Sequence, residues 1–273
     1  IDVVEKADVS TWHDDVQYFE ISQDGEALGG FYTDLYARTG KRGGAWMAEC
    51  RTRRRLEDGG LQLPIAYLNC NFSAPAKGKP GLLTHDEAVT LFHEFGHGLH
   101  HLLTTVEYLS ASGINGVPWD AVELPSQFME NWCWQKEALG LIARHYETGD
   151  ALSDDQVDKL LAAKNFQVGL QTVRQIEFAL FDFTLHMSFD ASQENQIQTV
   201  LDEVRQTVSV LKPPAFNRFQ HSFSHIFAGG YAAGYYSYKW AEVLASDAFS
   251  RFEEDGIFNA TTGQAFLANI LSQ

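Results

Sequence analysis

Apolar residues recur every three to four positions along most of the chain, which is the spacing of amphipathic helices. One such stretch follows Thr84, and the others run over residues 120–141, from a Ser153-x-x-Gln156 start toward His186, over 195–211 and over 239–254. The stretch over 195–211 ends at two consecutive prolines, which cannot continue a helix. This pattern predicts a mainly α protein.

Strand patterns are confined to the first third of the chain. Apolar residues on either side of Asp24-Gly25, over residues 16–21 and 28–32, predict a hairpin. The compact apolar run over 64–72 predicts another strand, which comes before the helix after Thr84 and is expected to offer its edge to an extended peptide. Residues 77–81 predict a loop. No domain boundary stands out, so we expect one domain over residues 1–273, mainly α with a small β element.

The helix after Thr84 contains the sequence His-Glu-x-x-His. Thr84 and Glu87 have the spacing of a capping box, which supports a helix start here. In a helix, His93 and His97 share one face, so both imidazoles can reach one metal ion while Glu94 points toward a metal-bound water. The alternative is a buried helix with two structural histidines.

These residue types suit a catalytic zinc ion. Neutral imidazoles hold zinc without cancelling its charge, and the pKa of a zinc-bound water falls to about 7. Glu94 is placed to take the proton from that water and to pass it to the leaving amine. Such a site needs three protein ligands plus the water, so a third ligand must come from another part of the chain.

Glu123 is the candidate third ligand. It lies 26 residues after His97, near the start of the next helical pattern. A glutamate on the following helix completes the zinc site of thermolysin-type enzymes. The alternative for a glutamate at a helix start is a capping or dipole role. His100 and His101 are turned away from the face of His93, and we expect them in the core or at its rim.

Composition narrows the class of ligand. The chain has 273 residues, of which 45% are hydrophobic and 13% aromatic, and its formal net charge is −16. This charge argues against nucleic acids and anionic membranes as partners and favours neutral or basic ligands, although acidity also serves solubility. Three widely spaced cysteines, no apolar run of membrane-spanning length and no signal-peptide pattern predict a cytoplasmic protein.

The region from His221 to Tyr238 differs in amino-acid composition from the helical stretches. It contains four tyrosines, three glycines and two histidines. From composition alone, a turn in the core with an aromatic stripe is a sufficient explanation. The seven-residue step from Tyr231 to Tyr238 equals two helical turns, so both phenols would face one side if the segment were helical.

Several separate motifs, in one order, resemble the M3 family of zinc metallopeptidases, the thimet-oligopeptidase-like enzymes, and within it the bacterial oligopeptidase A branch. The resemblance spans nearly the whole chain. The motifs are Phe31-Tyr32-x-Asp34-Leu35-Tyr36-Ala37-Arg38, Lys41-Arg42-Gly43-Gly44-Ala45-Trp46-Met47, the His93 to His97 signature, Glu123 to Trp132, and His225 through Tyr238.

The resemblance implies roles for individual residues. It makes His93, His97 and Glu123 the ligands of one Zn²⁺ ion and Glu94 the general base. It places Tyr231, Tyr238 and His225 around the scissile carbonyl, where a tetrahedral oxyanion needs hydrogen-bond donors besides zinc.

The resemblance also implies an architecture. The family chain is longer, with a helical N-terminal part that walls off a deep channel and a further C-terminal segment. This chain is therefore expected to be the catalytic C-terminal portion, a zincin-type helical domain that forms half of a deep-channel peptidase, and the missing N-terminal part is expected to complete the channel.

Three functions follow from these expectations. The first is a zinc endopeptidase that hydrolyses internal bonds of short, unstructured peptides. The second is a dipeptidyl carboxypeptidase of the same family, which needs a group that captures the substrate's C-terminal carboxylate. The third is a non-catalytic peptide-binding protein that retains a metal ion. An intact Glu94 and the lack of a four-cysteine pattern argue against the third.

Overall fold

The structure, a computed structural model, describes residues 1–76 and 78–273. Lys77, part of the loop predicted over 77–81, lies outside the described residues. The chain divides into two compact units: the first comprises Ile1–Val117, Leu124–Val157 and Leu244–Gln273, and the second comprises Pro118–Glu123 and Asp158–Val243. The single domain expected over residues 1–273 stays a prediction.

Strands occupy the beginning of the first unit, as the alternating pattern predicts. They are β1 Asp2–Glu5, β2 Gln17–Gln23, β3 Glu26–Tyr36, β4 Trp46–Arg51, β5 Arg54–Arg55, β6 Leu61–Gln62 and β7 Ile65–Phe72. Five of them form a sheet in the order β1-β2-β3-β7-β4, and β5 pairs with β6. The predicted hairpin is confirmed: β2 and β3 are antiparallel, and Asp24 and Gly25 both have positive φ, as tight hairpin turns require.

The strand predicted over residues 64–72 is confirmed as β7, but the expectation that its edge is open to a peptide is wrong. β7 pairs in parallel with β3 on one side and antiparallel with β4 on the other. Its backbone groups are therefore used on both sides. The run is apolar because a central strand is buried on both faces, and the edge strands of this sheet are β1 and β4.

A buried carboxylate organises the end of β3. Asp34, only 3% exposed, accepts two hydrogen bonds from Arg38, one from Lys41 and one from Trp12. Burial acts to raise the pKa of Asp34, but these hydrogen bonds hold the pKa well below its usual range. Lys41 also donates to the carbonyl of Tyr36, so this charged motif fixes the chain between β3 and β4.

Helices make up most of the rest, which confirms the predicted mainly α fold with a small β element. They are α1 His85–Leu103, α2 Leu124–Glu130, α3 Lys136–Ile142, α4 Asp154–Ala163, α5 Val168–Ser188, α6 Gln196–Val208, α7 Ser224–Phe227, α8 Ser237–Asp255 and α9 Ala260–Phe266. In the part of the chain that is described, none of these helices has both the length and the apolar character that a membrane crossing requires.

Two predicted helices are interrupted. The pattern over 120–141 becomes α2, a 3₁₀ turn over Asn131–Trp134, and α3. The pattern that starts at Ser153 becomes α4 and α5, separated where Gln167 takes a left-handed conformation with φ of 54°. At the first break the apolar pattern continues because Trp132 packs against Phe128 and Cys133 is buried. At the second break Phe166 is 72% exposed, so the apolar pattern there does not mark a buried face.

Each unit has its own apolar core. In the first unit, one cluster lies where α1 packs on the sheet, around Ile21, Leu68 and Leu102, and another surrounds Phe128 and Phe249. In the second unit, the core lies between α5 and α6 and continues into the tyrosine region; its buried members are Phe181, Leu185, Val200, Leu201, Phe223, Ile226 and Tyr235.

Candidate metal centre

The helix α1 begins at a complete capping box. The Oγ1 of Thr84 accepts a hydrogen bond from the backbone N of Glu87 at 3.2 Å, and the Glu87 carboxylate accepts one from the backbone N of Thr84 at 2.8 Å. These bonds satisfy two backbone donors that a helix start leaves open, as the sequence predicted. The helix then carries His93 and His97 on one face, with ring centroids 5.0 Å apart.

Gly96 allows the next helix to approach α1 closely. A Cβ atom at this position would lie 2.4 Å from the carbonyl oxygen of Pro125 and 2.6 Å from the Cα of Ser126. Only glycine fits such a backbone approach. Sequence reasoning missed this role, although a glycine inside a strong helical pattern was a usable signal. Because Glu123 lies two residues before Pro125, Gly96 helps to set where Glu123 enters.

The structure brings His93, His97 and Glu123 together. Each of the three offers one ligand atom, and these atoms lie within 4.8 Å of one another. Among the described residues, this group could therefore hold a metal ion. Glu123 is bonded to Leu124, the first residue of α2, so the packing of α2 on α1 carries it there. His97 is 8% exposed and Glu123 1%.

Glu130, at the end of α2, contacts the first of these histidines. Its Oε1 lies 2.6 Å from Nδ1 of His93. A protonated Nδ1 that donates to this carboxylate leaves Nε2 of His93 with the lone pair that a metal ion binds. Glu94, the proposed base, is also buried, at 4% exposed.

His100 and His101 are core residues, as expected. His101 is fully buried and its Nε2 donates to the carbonyl of Arg51 at 2.8 Å, which ties α1 to the end of β4. Burial, with smaller contributions from His97 and His101, lowers the pKa of His100 to about 4. His100 is therefore neutral near pH 7.

Tyr231, Tyr238 and His225 form a cluster within the second unit. The rings of Tyr231 and Tyr238 stack with centroids 5.0 Å apart, and the ring of His225 lies 6.0 Å from each. The segment is not one helix, because turns separate α7 from α8. The helical explanation for the seven-residue step is therefore wrong, although both phenols do lie side by side.

Asp182 holds the tyrosine segment in shape. This fully buried carboxylate of α5 accepts hydrogen bonds from the backbone N of Ala233 at 2.8 Å and of Tyr235 at 2.9 Å. Ala233 has a positive φ of 54°, so the turn needs such support. Sequence reasoning missed Asp182; a carboxylate directly between two phenylalanines in a largely apolar stretch was the available signal.

Glu123, which belongs to the same unit, interacts with this cluster. Tyr231 donates a hydrogen bond to Oε1 of Glu123. Burial, followed by the charge of Glu123 and the neighbouring Tyr231, raises the pKa of Tyr238 far above its usual value. Tyr238 therefore keeps its proton and remains a hydrogen-bond donor at neutral pH.

The donor set fits a zinc ion. Two imidazoles and one carboxylate are the protein ligands of several catalytic zinc sites, which leave a fourth position for water or substrate. A structural zinc site usually has four protein ligands, often cysteines. Cys50, Cys70 and Cys133 are free thiols and none belongs to this group.

Comparisons with known proteins show the family of this chain. The sequence model that describes peptidase family M3 matches residues 1–273 of this chain. The chain belongs to peptidase family M3. It is 62% identical over 270 residues to oligopeptidase A of Escherichia coli and 58% identical over 274 residues to oligopeptidase A of Haemophilus influenzae. The predicted resemblance to the oligopeptidase A branch of the family is thus confirmed.

A third relative has a different name. The chain is 38% identical over 279 residues to the dipeptidyl carboxypeptidase of Escherichia coli. These matches cover 98% to 100% of this family M3 chain but only 40% of each relative. The chain therefore spans well under half the length of the relatives that it matches.

Proposed function

We propose that the full-length protein is a zinc endopeptidase that hydrolyses internal bonds of short, unstructured peptides. The observation that carries the proposal is the group of His93, His97 and Glu123 with the buried Glu94 on the same helix. Family membership and the oligopeptidase A relatives support it. A cytoplasmic location is part of the same proposal, and the three cysteines, which are free thiols, suit a reducing compartment.

The proposed ligands are one nitrogen from each histidine and one carboxylate oxygen of Glu123. A bound zinc ion would supply a water of lowered pKa and would polarise the scissile carbonyl. Glu130 orients the ring of His93 through its contact with Nδ1. Because Tyr231 donates to Glu123, the tyrosine also restrains the carboxylate proposed as third ligand.

Proton transfer is assigned to Glu94. Its carboxylate takes a proton from the attacking water and later delivers it to the nitrogen of the leaving amine. Tyr238 and Tyr231 are assigned to the oxyanion that forms at the carbonyl, where their hydroxyl groups donate hydrogen bonds. Tyr231 has a single hydroxyl proton, which Glu123 accepts in this structure, and in this proposal that proton turns to the oxyanion when substrate is bound. The raised pKa of Tyr238 suits this role, because an ionised phenol cannot donate. His225, next to both rings, is proposed as a further polar group of the same cluster.

The test is Glu94→Gln in the full-length protein. This change keeps the size of the side chain and removes the base, so kcat should fall by about 10² to 10⁴ while bound zinc and inhibitor affinity stay close to wild type. Glu253→Gln, the same change on the exposed face of α8, is the matched control. Near-normal turnover by the Glu94 variant, with zinc bound, would favour the non-catalytic alternative.

A dipeptidyl carboxypeptidase is the second candidate, favoured by the 38% identity to the Escherichia coli enzyme of that name. The two activities differ in their products. An endopeptidase cuts one defined peptide at internal bonds even when its C-terminus is amidated. A dipeptidyl carboxypeptidase releases dipeptides from the C-terminal end and needs the carboxylate there. Mass analysis of the products from amidated and unamidated versions of one peptide separates them.

A further inference from the structure

A cavity in the second unit has no part in the proposed reaction. It has a volume of about 610 Å³ and lies beside α5, the end of α6 and the segment that follows α6. Its polar lining includes three cationic side chains and one carboxylate, namely Arg174, Arg205, Lys212 and Glu177. The volume is in the range of sites for small molecules, about 300 to 1,000 Å³. A cationic cavity is unexpected in a chain of net charge −16.

The charges that line this cavity do not balance. Arg174 Nη1 donates to Oε1 of Glu177 at 2.5 Å, and Arg205 Nε donates to the same oxygen at 2.9 Å. Glu177 is 1% exposed and Arg205 7%. Arg174, which also lines the cavity, is by contrast 42% exposed. Two guanidinium groups thus share one carboxylate, which leaves the cluster with an excess positive charge. Several cations around one carboxylate repel one another, so an anion at this place would stabilise the cluster.

The cavity also has unused hydrogen-bond donors. Arg205 Nη2 donates to Oδ1 of Asn217 at 3.2 Å, whereas neither Arg205 Nη1 nor Lys212 Nζ has a hydrogen-bond partner among residues 1–76 and 78–273. The guanidinium of Arg174 is held over the ring of Phe178 at 4.2 Å, which fixes its orientation. Planar, pre-oriented guanidinium groups match the geometry of phosphate and carboxylate oxygens.

We propose that this cavity binds a small anion that carries phosphate or carboxylate oxygens. The anion accepts hydrogen bonds from Arg205, Arg174 and Lys212, and it neutralises the excess charge that Glu177 leaves. The apolar side chains of Leu170 and Val210, also in the lining, contact the rest of the ligand. Binding here is separate from peptide hydrolysis, so its test uses binding and stability as readouts rather than activity.

The test is calorimetric titration of the full-length protein with inorganic phosphate and, separately, with succinate. The protein is first freed of metal with a chelator, so that no anion binds to a metal ion. Sodium chloride at matched ionic strength accounts for screening. We expect saturable binding of at least one of the two anions. Tighter binding of phosphate identifies a phosphate-bearing ligand, and tighter binding of succinate identifies a carboxylate. Saturable binding of neither overturns the proposal.

The double variant Arg174→Gln/Lys212→Gln locates the site. Both side chains are accessible to solvent, Arg174 to 42%, so the fold should tolerate the change. We expect affinity for the bound anion to fall at least tenfold, because two charge-assisted hydrogen bonds are lost. Lys6→Gln/Arg251→Gln removes the same charge outside the cavity and should leave affinity within twofold. Equal loss in both double variants would overturn the proposal, because it would show a general charge effect.

Thermal unfolding gives a second, independent readout. Without the anion, Arg174→Gln should melt at or above the wild-type temperature, because it removes the excess charge and leaves Glu177 paired with Arg205. With the anion, the wild type should gain stability and the variant should gain less. If Arg174→Gln instead lowers the melting temperature equally with and without the anion, Arg174 is only a structural partner of Glu177 and the proposal fails.

Discussion

The helix α1 in the first unit and the segment 224–238 in the second both carry side chains proposed for the reaction, but different interactions hold them. In α1, the backbone hydrogen bonds of the helix place His93 and His97 on one face. The shape of the segment 224–238 depends on Asp182, which accepts hydrogen bonds from backbone amides more than 50 residues away in the chain. Local order should therefore survive substitutions in α1 that would be disruptive in the tyrosine segment.

The largest expected effect comes from a substitution that removes the support of the tyrosine segment 224–238. Asp182→Ala leaves the amides of Ala233 and Tyr235 without their acceptor, at a cost of about 1 to 3 kcal/mol each, or about 2 to 6 kcal/mol in total. Hydrogen exchange of residues 228–236 should become faster, and turnover should fall. Asp158→Ala, an exposed aspartate of α4, is the control. Unchanged exchange in the Asp182 variant would mean that local sequence alone shapes the segment.

The second prediction concerns one hydroxyl group. Tyr238→Phe should lower kcat by about 10² to 10³, because one proposed oxyanion donor is lost while the metal ligands and Glu94 remain. Tyr236→Phe is a matched control, since Tyr236 is 36% exposed and not part of the ring cluster with His225. Steady-state kinetics with one quenched peptide measures both. Equal turnover by the two variants would remove Tyr238 from the mechanism.

The third prediction is a dependence of stability on pH that arises in α1. His100 has a folded-state pKa of about 4, below its ordinary value of 6.5, so the unfolded chain binds the proton more readily. The contribution of His100 to the free energy of unfolding is complete above pH 6.5. It is lost as the pH falls toward 4, which lowers the free energy of unfolding by on the order of 3 kcal/mol.

Replacement of His100 by leucine should flatten this decline. Thermal unfolding of the metal-free protein between pH 7 and pH 4.5 measures it, with His221→Leu, an exposed histidine, as the control. A slope in His100→Leu equal to that of the wild type would show that other groups cause the decline.

The smallest expected effect is on zinc affinity and concerns the contact of Glu130 with His93 of α1. Glu130→Gln keeps a hydrogen-bond acceptor near Nδ1 of His93 but removes its charge, so zinc affinity should fall by about 10-fold to 100-fold. Glu123→Gln, which changes a proposed ligand, should weaken affinity more, and the exposed Glu137→Gln should not change it. Competition with a zinc chelator ranks the three. If the Glu130 variant binds zinc more weakly than the Glu123 variant, the proposed roles of the two residues are reversed.

Sequence reasoning predicted the parts of the fold that local chemistry specifies. The capping box at Thr84, the hairpin turn at Asp24-Gly25 and the mainly α class are all confirmed. The breaks within the predicted helices and the central place of β7 were not predicted. Both depend on which element packs against which, and hydrophobic periodicity does not show this.

The sequence by itself determined the pairing of His93 with His97 and the position of Glu94 between them. A spacing of four residues in a capped helix has one geometric outcome, because 3.6 residues make a turn. The family resemblance also followed from the sequence alone, since several motifs in one order occur together. Glu123 could be nominated from its spacing and the resemblance, but not placed.

Only the tertiary structure decided how the remaining groups meet. Gly96 allows α2 to approach α1, which brings Glu123 to the histidines and Glu130 to His93. Asp182 shapes the turn that sets Tyr231 beside Tyr238. The pairing of Arg205 with Glu177 likewise joins residues of different helices. These contacts connect residues far apart in the chain, so packing, and no local pattern, determines them.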